Sequence, residues 1–134
     1  MTNQSGTDSP ETRPLILIVD DSEEVATALK WELCDDYRII TYSGKDITLE
    51  GAIEQFQLHN PDLTLSDTDW GGAEKEGMGL LFLDRIGSVQ PSPKRILMSA
   101  HSLAEVAKAH GLDFYEKLTG TKKLRDLIDH VLAA

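Results

Sequence analysis

The chain has 134 residues, 40% of them hydrophobic, and a formal net charge of −10. Its length suits one domain around one core. The acidity argues against direct docking on nucleic acid or on an anionic membrane surface, and no apolar run approaches the roughly 20 residues that span a bilayer. A cytoplasmic protein that takes up a magnesium ion, or meets a partner with a basic patch, is the expectation.

Residues 1–13 are polar and rich in Ser, Thr, Asn and Gln. They lack the apolar segment of a signal peptide and are expected as a disordered tail before one folded domain at 14–134. Leu15-Ile16-Leu17-Ile18-Val19 is five consecutive aliphatic residues, which predicts a strand buried on both faces. It stops at Asp20-Asp21, and Ser22 follows as a helix N-cap with Glu23 and Glu24 in the first turn. Val25, Leu29 and Leu33 form one apolar stripe. Cys34, the single cysteine, is expected as a small buried residue of a reducing compartment. Residues 37–42 predict a second, more polar strand near a sheet edge. A helix over 47–58 is stopped by Asn60-Pro61.

Pro61-Asp62-Leu63-Thr64-Leu65-Ser66-Asp67 predicts a third strand that ends abruptly at a carboxylate. The loop 70–77 holds three glycines and three charged residues and is expected to be exposed and mobile. A third helix uses Leu80, Leu83 and Ile86. A fourth strand at 95–100 contains Ser99 near its end, and a short helix follows with Leu103, Val106 and Ala107. A fifth strand at 113–117 ends in Lys117. The last helix places Leu124, Leu127, Ile128, Val131 and Leu132 on one face. Five strand–helix alternations with short links predict an α/β domain, a single doubly wound parallel sheet covered by helices on both faces.

In such a sheet, ligands bind beyond the C-terminal strand ends. Asp20, Asp21, Asp67, Ser99 and Lys117 all fall there. Three crowded carboxylates repel, so one should have a raised pKa unless a cation sits among them. Oxygen ligands of this kind suit Mg²⁺. One carboxylate could then attack phosphorus, while Lys117 and Ser99 hold phosphoryl oxygens. Taken singly, each residue has an ordinary explanation as a cap, a turn former or a solvated lysine. Their joint placement favours the chemical one, with Asp67 as nucleophile.

These residues resemble those of the receiver domains of two-component response regulators. The resemblance runs from Leu15 to Leu132. It rests on Ile18-Val19-Asp20-Asp21-Ser22, on Pro61 to Asp67, on Leu97-Met98-Ser99-Ala100, and on Lys117 with Leu124. It implies a flavodoxin-like sheet of strand order 2-1-3-4-5 flanked by five helices. It implies that Asp67 accepts a phosphoryl group from a histidine kinase or histidine phosphotransfer protein. It also implies Mg²⁺ held by Asp20, Asp21 and Asp67 with the main-chain carbonyl of Asp69, and Ser99 and Lys117 as phosphoryl-sensing groups. The chain would then be a relay or switch with at most slow self-dephosphorylation, not an enzyme. It would signal to a downstream protein through the surface around 103–110 and 114–127, and a homodimer is among the assemblies this allows.

The sequence departs from the family pattern in places. Leu118 follows the lysine where receivers have a proline in cis, and a non-proline cis bond costs about 2.5–4 kcal/mol. Trp70-Gly71 stand where Met-Pro is usual, and the loop to Gly79 is longer. The aromatic switch position is Phe114, which has no hydroxyl, with Tyr115 beside it. Asp69 is either a loop acid or a group that tunes phosphate release. His101 is either a plain helix-entry residue or a titrating neighbour of the site. Trp70 is expected as a lid or an exposed partner contact. Two other readings remain: a pseudo-receiver that binds partners without phosphorylation, and a haloacid-dehalogenase-like phosphatase using Asp67-Thr68-Asp69.

Overall fold

A computed structural model describes residues 12–71, 76–89, 91–117 and 119–134. In chain order the elements are β1 (Leu15–Asp20), α1 (Glu23–Leu33), β2 (Arg38–Ser43), α2 (Leu49–His59), β3 (Leu63–Asp67), α3 (Met78–Gly87), β4 (Lys94–Ser99), α4 (Ala104–Ala109), β5 (Asp113–Glu116) and α5 (Thr121–Ala133). The strands pair in parallel, in the order β2-β1-β3-β4-β5. The expected α/β sheet of order 2-1-3-4-5 is therefore present, with the more polar β2 at one edge.

Side-chain alternation divides the core in two. Ile16 and Ile18 of β1 point to one face, where Leu29 and Leu33 of α1 and Leu124, Ile128 and Val131 of α5 cover them. Leu17 and Val19 point to the other, against Ala52 and Phe56 of α2, Phe82 and Ile86 of α3 and Ala107 of α4. Both faces of β1 are buried, so its unbroken aliphatic run has a packing cause.

Local chemistry sets the helix ends. Ser22 caps α1 by accepting from Val25 N at 3.2 Å. Thr48 caps α2 by accepting from Gly51 N at 3.0 Å. The second helix thus starts at Leu49 rather than at residue 47, and Ile47 is buried just ahead of the cap. Asn60 ends α2 in the left-handed conformation, φ 46°, as suits a C-cap before Pro61.

Three expectations are corrected. Trp70 is not exposed: it is 1% accessible, packed among the α2–α3 side of the core with its ring 5.9 Å from that of Phe82. An indole following a strand this closely swings under α3 and buries far more apolar area there than on a loop. Val106 is exposed while Ala107 is buried, because α4 is a short helix with a narrow contact stripe. Cys34 is half-buried at the C-cap of α1. The exposed tryptophan is instead Trp31 of α1, at 74%. The tail at 1–11 and the loop segment 72–75 lie outside the described residues. Arg13 is held, donating to Cys34 O while its own carbonyl accepts from Arg38 Nε at 2.9 Å.

Helix α3 enters against the end of β3. Gly79 N donates to Thr68 O at 2.8 Å, and a Cβ on Gly79 would stand 1.6 Å from Asp67 O. That carbonyl is backbone in a central strand and cannot yield. Gly79→Ala should therefore cost about 1–3 kcal/mol through overpacking, although alanine favours a helix by about 1 kcal/mol over glycine. Urea unfolding measures this; a stabilised variant would mean that the start of α3 is free to shift away from β3.

Candidate functional site

The register lines up the strand ends. Val19 of β1 pairs with Ser66 of β3, so Asp20 and Asp67, one residue further, emerge side by side. Asp67 pairs with Met98, and Ser99 pairs with Glu116, which brings Lys117 to the same edge. Lys117 N donates to Ser99 O at 2.8 Å, fixing the start of the lysine side chain. Its Nζ lies 2.9 Å from Asp20 Oδ2 and 3.0 Å from Asp67 Oδ1. One carboxylate oxygen each from Asp20, Asp21 and Asp67 fall within 4.8 Å of one another.

These groups are poorly solvated. Asp20 is fully buried, and the side chains of Asp67 and Lys117 are only 13% and 16% accessible. Burial pushes the Asp67 pKa up to about 7; the negative charge of Asp20 and a hydrogen bond with Asp21 add to this, and Lys117 opposes it. Burial likewise raises Asp20, against hydrogen bonds from Lys117 and Ser22 N. For Lys117, burial acts to lower the pKa, but bonding to Asp20 and Asp67 outweighs it and the net shift is upward. The ammonium is thus held charged between two acids.

The donor set is all carboxylate oxygen, as hard divalent cations require. Asp20 Oδ1 accepts from Ser22 N at 2.8 Å. Asp20 Oδ2 is buried and, apart from the Lys117 ion pair, has no hydrogen-bond partner. A single ammonium facing three acids leaves excess negative charge at this point. The residues present fit a hard divalent cation.

The other predicted positions are placed differently. Ser99 is 5% accessible, and its Oγ accepts from His101 N at 3.0 Å, leaving the hydroxyl proton available to donate. His101 is itself exposed. Asp69 is not part of the acidic cluster: its Oδ1 accepts from Gly77 N at 2.6 Å and closes the neck of the loop. The second acid of the phosphatase reading is thus engaged by a loop amide. Phe114 is half-buried against the α2–α3–α4 side of the core. Tyr115 is buried on the opposite face, its hydroxyl donating to Gly120 O at 3.4 Å. The Lys117–Leu118 bond lies outside the described residues.

Two features were not anticipated. Gly71, at φ 81°, comes so near Asp21 that a Cβ there would lie 2.8 Å from Asp21 Oδ2. Thr68 donates both its backbone N and its hydroxyl to Met98 O, at 3.0 and 2.8 Å, tying the chain beyond Asp67 to β4. A glycine directly after a large aromatic was the one sequence sign of the first; the second left none.

Solved structures share this fold. The signal receiver domain of a protein named as a LuxO repressor, from Vibrio parahaemolyticus, is 25% identical with a TM-score of 0.75, over 90% of this chain and 91% of that one. The chain has the fold of a response-regulator receiver domain. The chemotaxis response regulator CheY4 of Vibrio cholerae shows the same receiver fold at 19% identity and TM-score 0.72, over 90% of this chain and 99% of that one. NtrX from Brucella abortus shows it at 23% identity and TM-score 0.75, over 91% of this chain but 27% of that longer one. No family model and no curated protein matches the sequence itself.

The crowding of the acidic cluster has a pH signature. Folded Asp67 keeps its proton up to about 7, whereas the ordinary value is 3.8. Between these values the folded state binds more protons, so this group's contribution to stability is fully present below the lower value. It is lost as pH rises through the upper one. In cation-free buffer, Asp67→Asn should therefore raise the urea midpoint at about pH 8, with a gain that shrinks toward about pH 5. A variant less stable than wild type at the higher pH would mean that the Lys117 pair outweighs the repulsion.

Proposed function

We propose that residues 14–134 form a phosphoacceptor receiver in which Asp67 is the nucleophile. The observation that carries this reading is Lys117 Nζ held between Asp20 and Asp67, inside a three-carboxylate cluster at the C-terminal edge of a receiver-type sheet. The donor is a phosphohistidine of a histidine kinase or histidine phosphotransfer protein. An Asp67 oxygen forms a bond to phosphorus, the phosphorus–nitrogen bond breaks, and the departing imidazole nitrogen keeps the electron pair and takes up a proton. The product is an acyl phosphate on Asp67.

Asp20, Asp21 and Asp67, with the carbonyl of Asp69, would hold Mg²⁺, which supplies charge neutralisation for the phosphoryl oxygens when bound. This chain's own groups do the rest. Lys117 turns from Asp67 to a phosphoryl oxygen, and the Ser99 hydroxyl donates to another. In doing so Ser99 changes its bond with His101 N, at the entry to α4. That transmits occupancy to the α4–β5–α5 surface, where a downstream protein would bind, through the half-buried Phe114; Tyr115 is buried and is not a contact there. Trp70 has no part in that surface, since it is buried. The setting is cytoplasmic; among the described residues, no helix is long and apolar enough to cross a membrane.

The pseudo-receiver reading treats the Lys117 ion pairs as purely structural. Incubation with Mg²⁺ and acetyl phosphate, followed by intact-mass measurement, separates the two. The expected result is one phosphoryl adduct on the wild type and none on Asp67→Asn. An unmodified wild type, with either acetyl phosphate or a phosphorylated phosphotransfer protein as donor, would favour the pseudo-receiver. Steady phosphate release from simple monoesters would revive the phosphatase.

A further inference from the structure

The chain leading from β3 into Gly71 is pinned. The Trp70 ring is locked beneath α3 against Phe82. Just before it, Thr68 is bonded to Met98 O and Asp69 Oδ1 to Gly77 N. Gly71 emerges from this corner at φ 81°, facing the Asp21 carboxylate. A Cβ at Gly71 would lie 2.8 Å from Asp21 Oδ2 and 3.8 Å from its Cγ. The chain entering the corner is held by these contacts, whereas a carboxylate at the end of a rotatable side chain can turn away. An added Cβ therefore displaces the Asp21 carboxylate more readily than the backbone.

We infer that Gly71 is a positioning residue for the cation site: its bare Cα face lets the Trp70-anchored corner pack against Asp21 and keep that carboxylate turned into the acidic cluster. The inference rests on the magnesium-site reading given above. It assigns to the Trp70-Gly71 pair a role in orienting a ligand, although neither residue supplies a ligand atom. Groups that orient metal ligands without binding the metal typically govern affinity by about 10–100-fold.

The test is Mg²⁺ titration calorimetry on the full chain, with circular dichroism and urea unfolding to check folding. Gly71→Ala adds the Cβ but also strains the left-handed backbone. Gly71→Asn adds the same Cβ on a residue that tolerates that conformation. Gly111→Ala, between α4 and β5 and outside this corner, is the control: it has φ 71° and nothing within 4 Å of its Cβ, so it carries strain without a contact. Both Gly71 variants should bind Mg²⁺ about 10–100-fold more weakly than wild type, with Gly111→Ala matching wild type. Wild-type affinity in a folded Gly71 variant overturns the inference, and so does an equal loss in Gly111→Ala, which would make general backbone strain the cause. If the wild type itself binds no Mg²⁺, the underlying metal-site reading fails, a result distinct from either of these.

Discussion

The contact on which the site depends is the Lys117 ammonium between Asp20 and Asp67. Removing charged groups from water is costly, by several kcal/mol each, and the cation, touching both acids at once, offsets part of that cost, burial still raising both carboxylates. Removing the ammonium would leave two poorly solvated carboxylates beside a third with no compensating charge. The arrangement also explains why the lysine must follow β5 directly. The backbone bond from Lys117 N to Ser99 O delivers the side chain from the far strand of the sheet across β4 to β3 and β1.

Seen this way, the sheet is a device for bringing like charges together. Hydrophobic burial of β1 and β3 on both faces forces Asp20 and Asp67 into adjacent positions that they would not choose in solution. The stability gained in the core offsets repulsion at its edge, leaving a site that favours binding of positive charge. Strain of this sort at a functional edge is what binding of a cation, or consumption of a carboxylate charge, would relieve.

Much of this was legible from local pattern. The aliphatic runs, their carboxylate ends and the 3.6-residue periodicity of α5 identified the strand–helix alternation and the companions of Asp67, because each signal lies within one element; the strand order was implied only by the family resemblance. What escaped notice depends on tertiary closure. Trp70 and Gly71 sit outside any periodic segment, so nothing in the sequence distinguished an indole tucked beneath α3 from one left in solvent. Asp69 shares the chemistry of its acidic neighbours, yet its oxygen is taken by Gly77 N, an amide eight residues on. The Cβ that Gly71 lacks matters only because Asp21 arrives from another strand. Val106 and Ala107 were indistinguishable as helix-face candidates until the direction of a six-residue helix was known.

The two tryptophans occupy opposite environments, Trp31 at 74% accessible and Trp70 at 1%. Their optical signals are therefore separable without mutation. A small polar quencher in solution reaches the Trp31 indole and leaves the other largely untouched, and emission from the shielded ring is shifted to shorter wavelength. The remaining blue component comes from a residue three positions past Asp67, adjoining the glycine that faces Asp21. The protein thus carries an internal optical probe beside its acidic cluster, with the competing signal on the outer face of α1, where it can be suppressed.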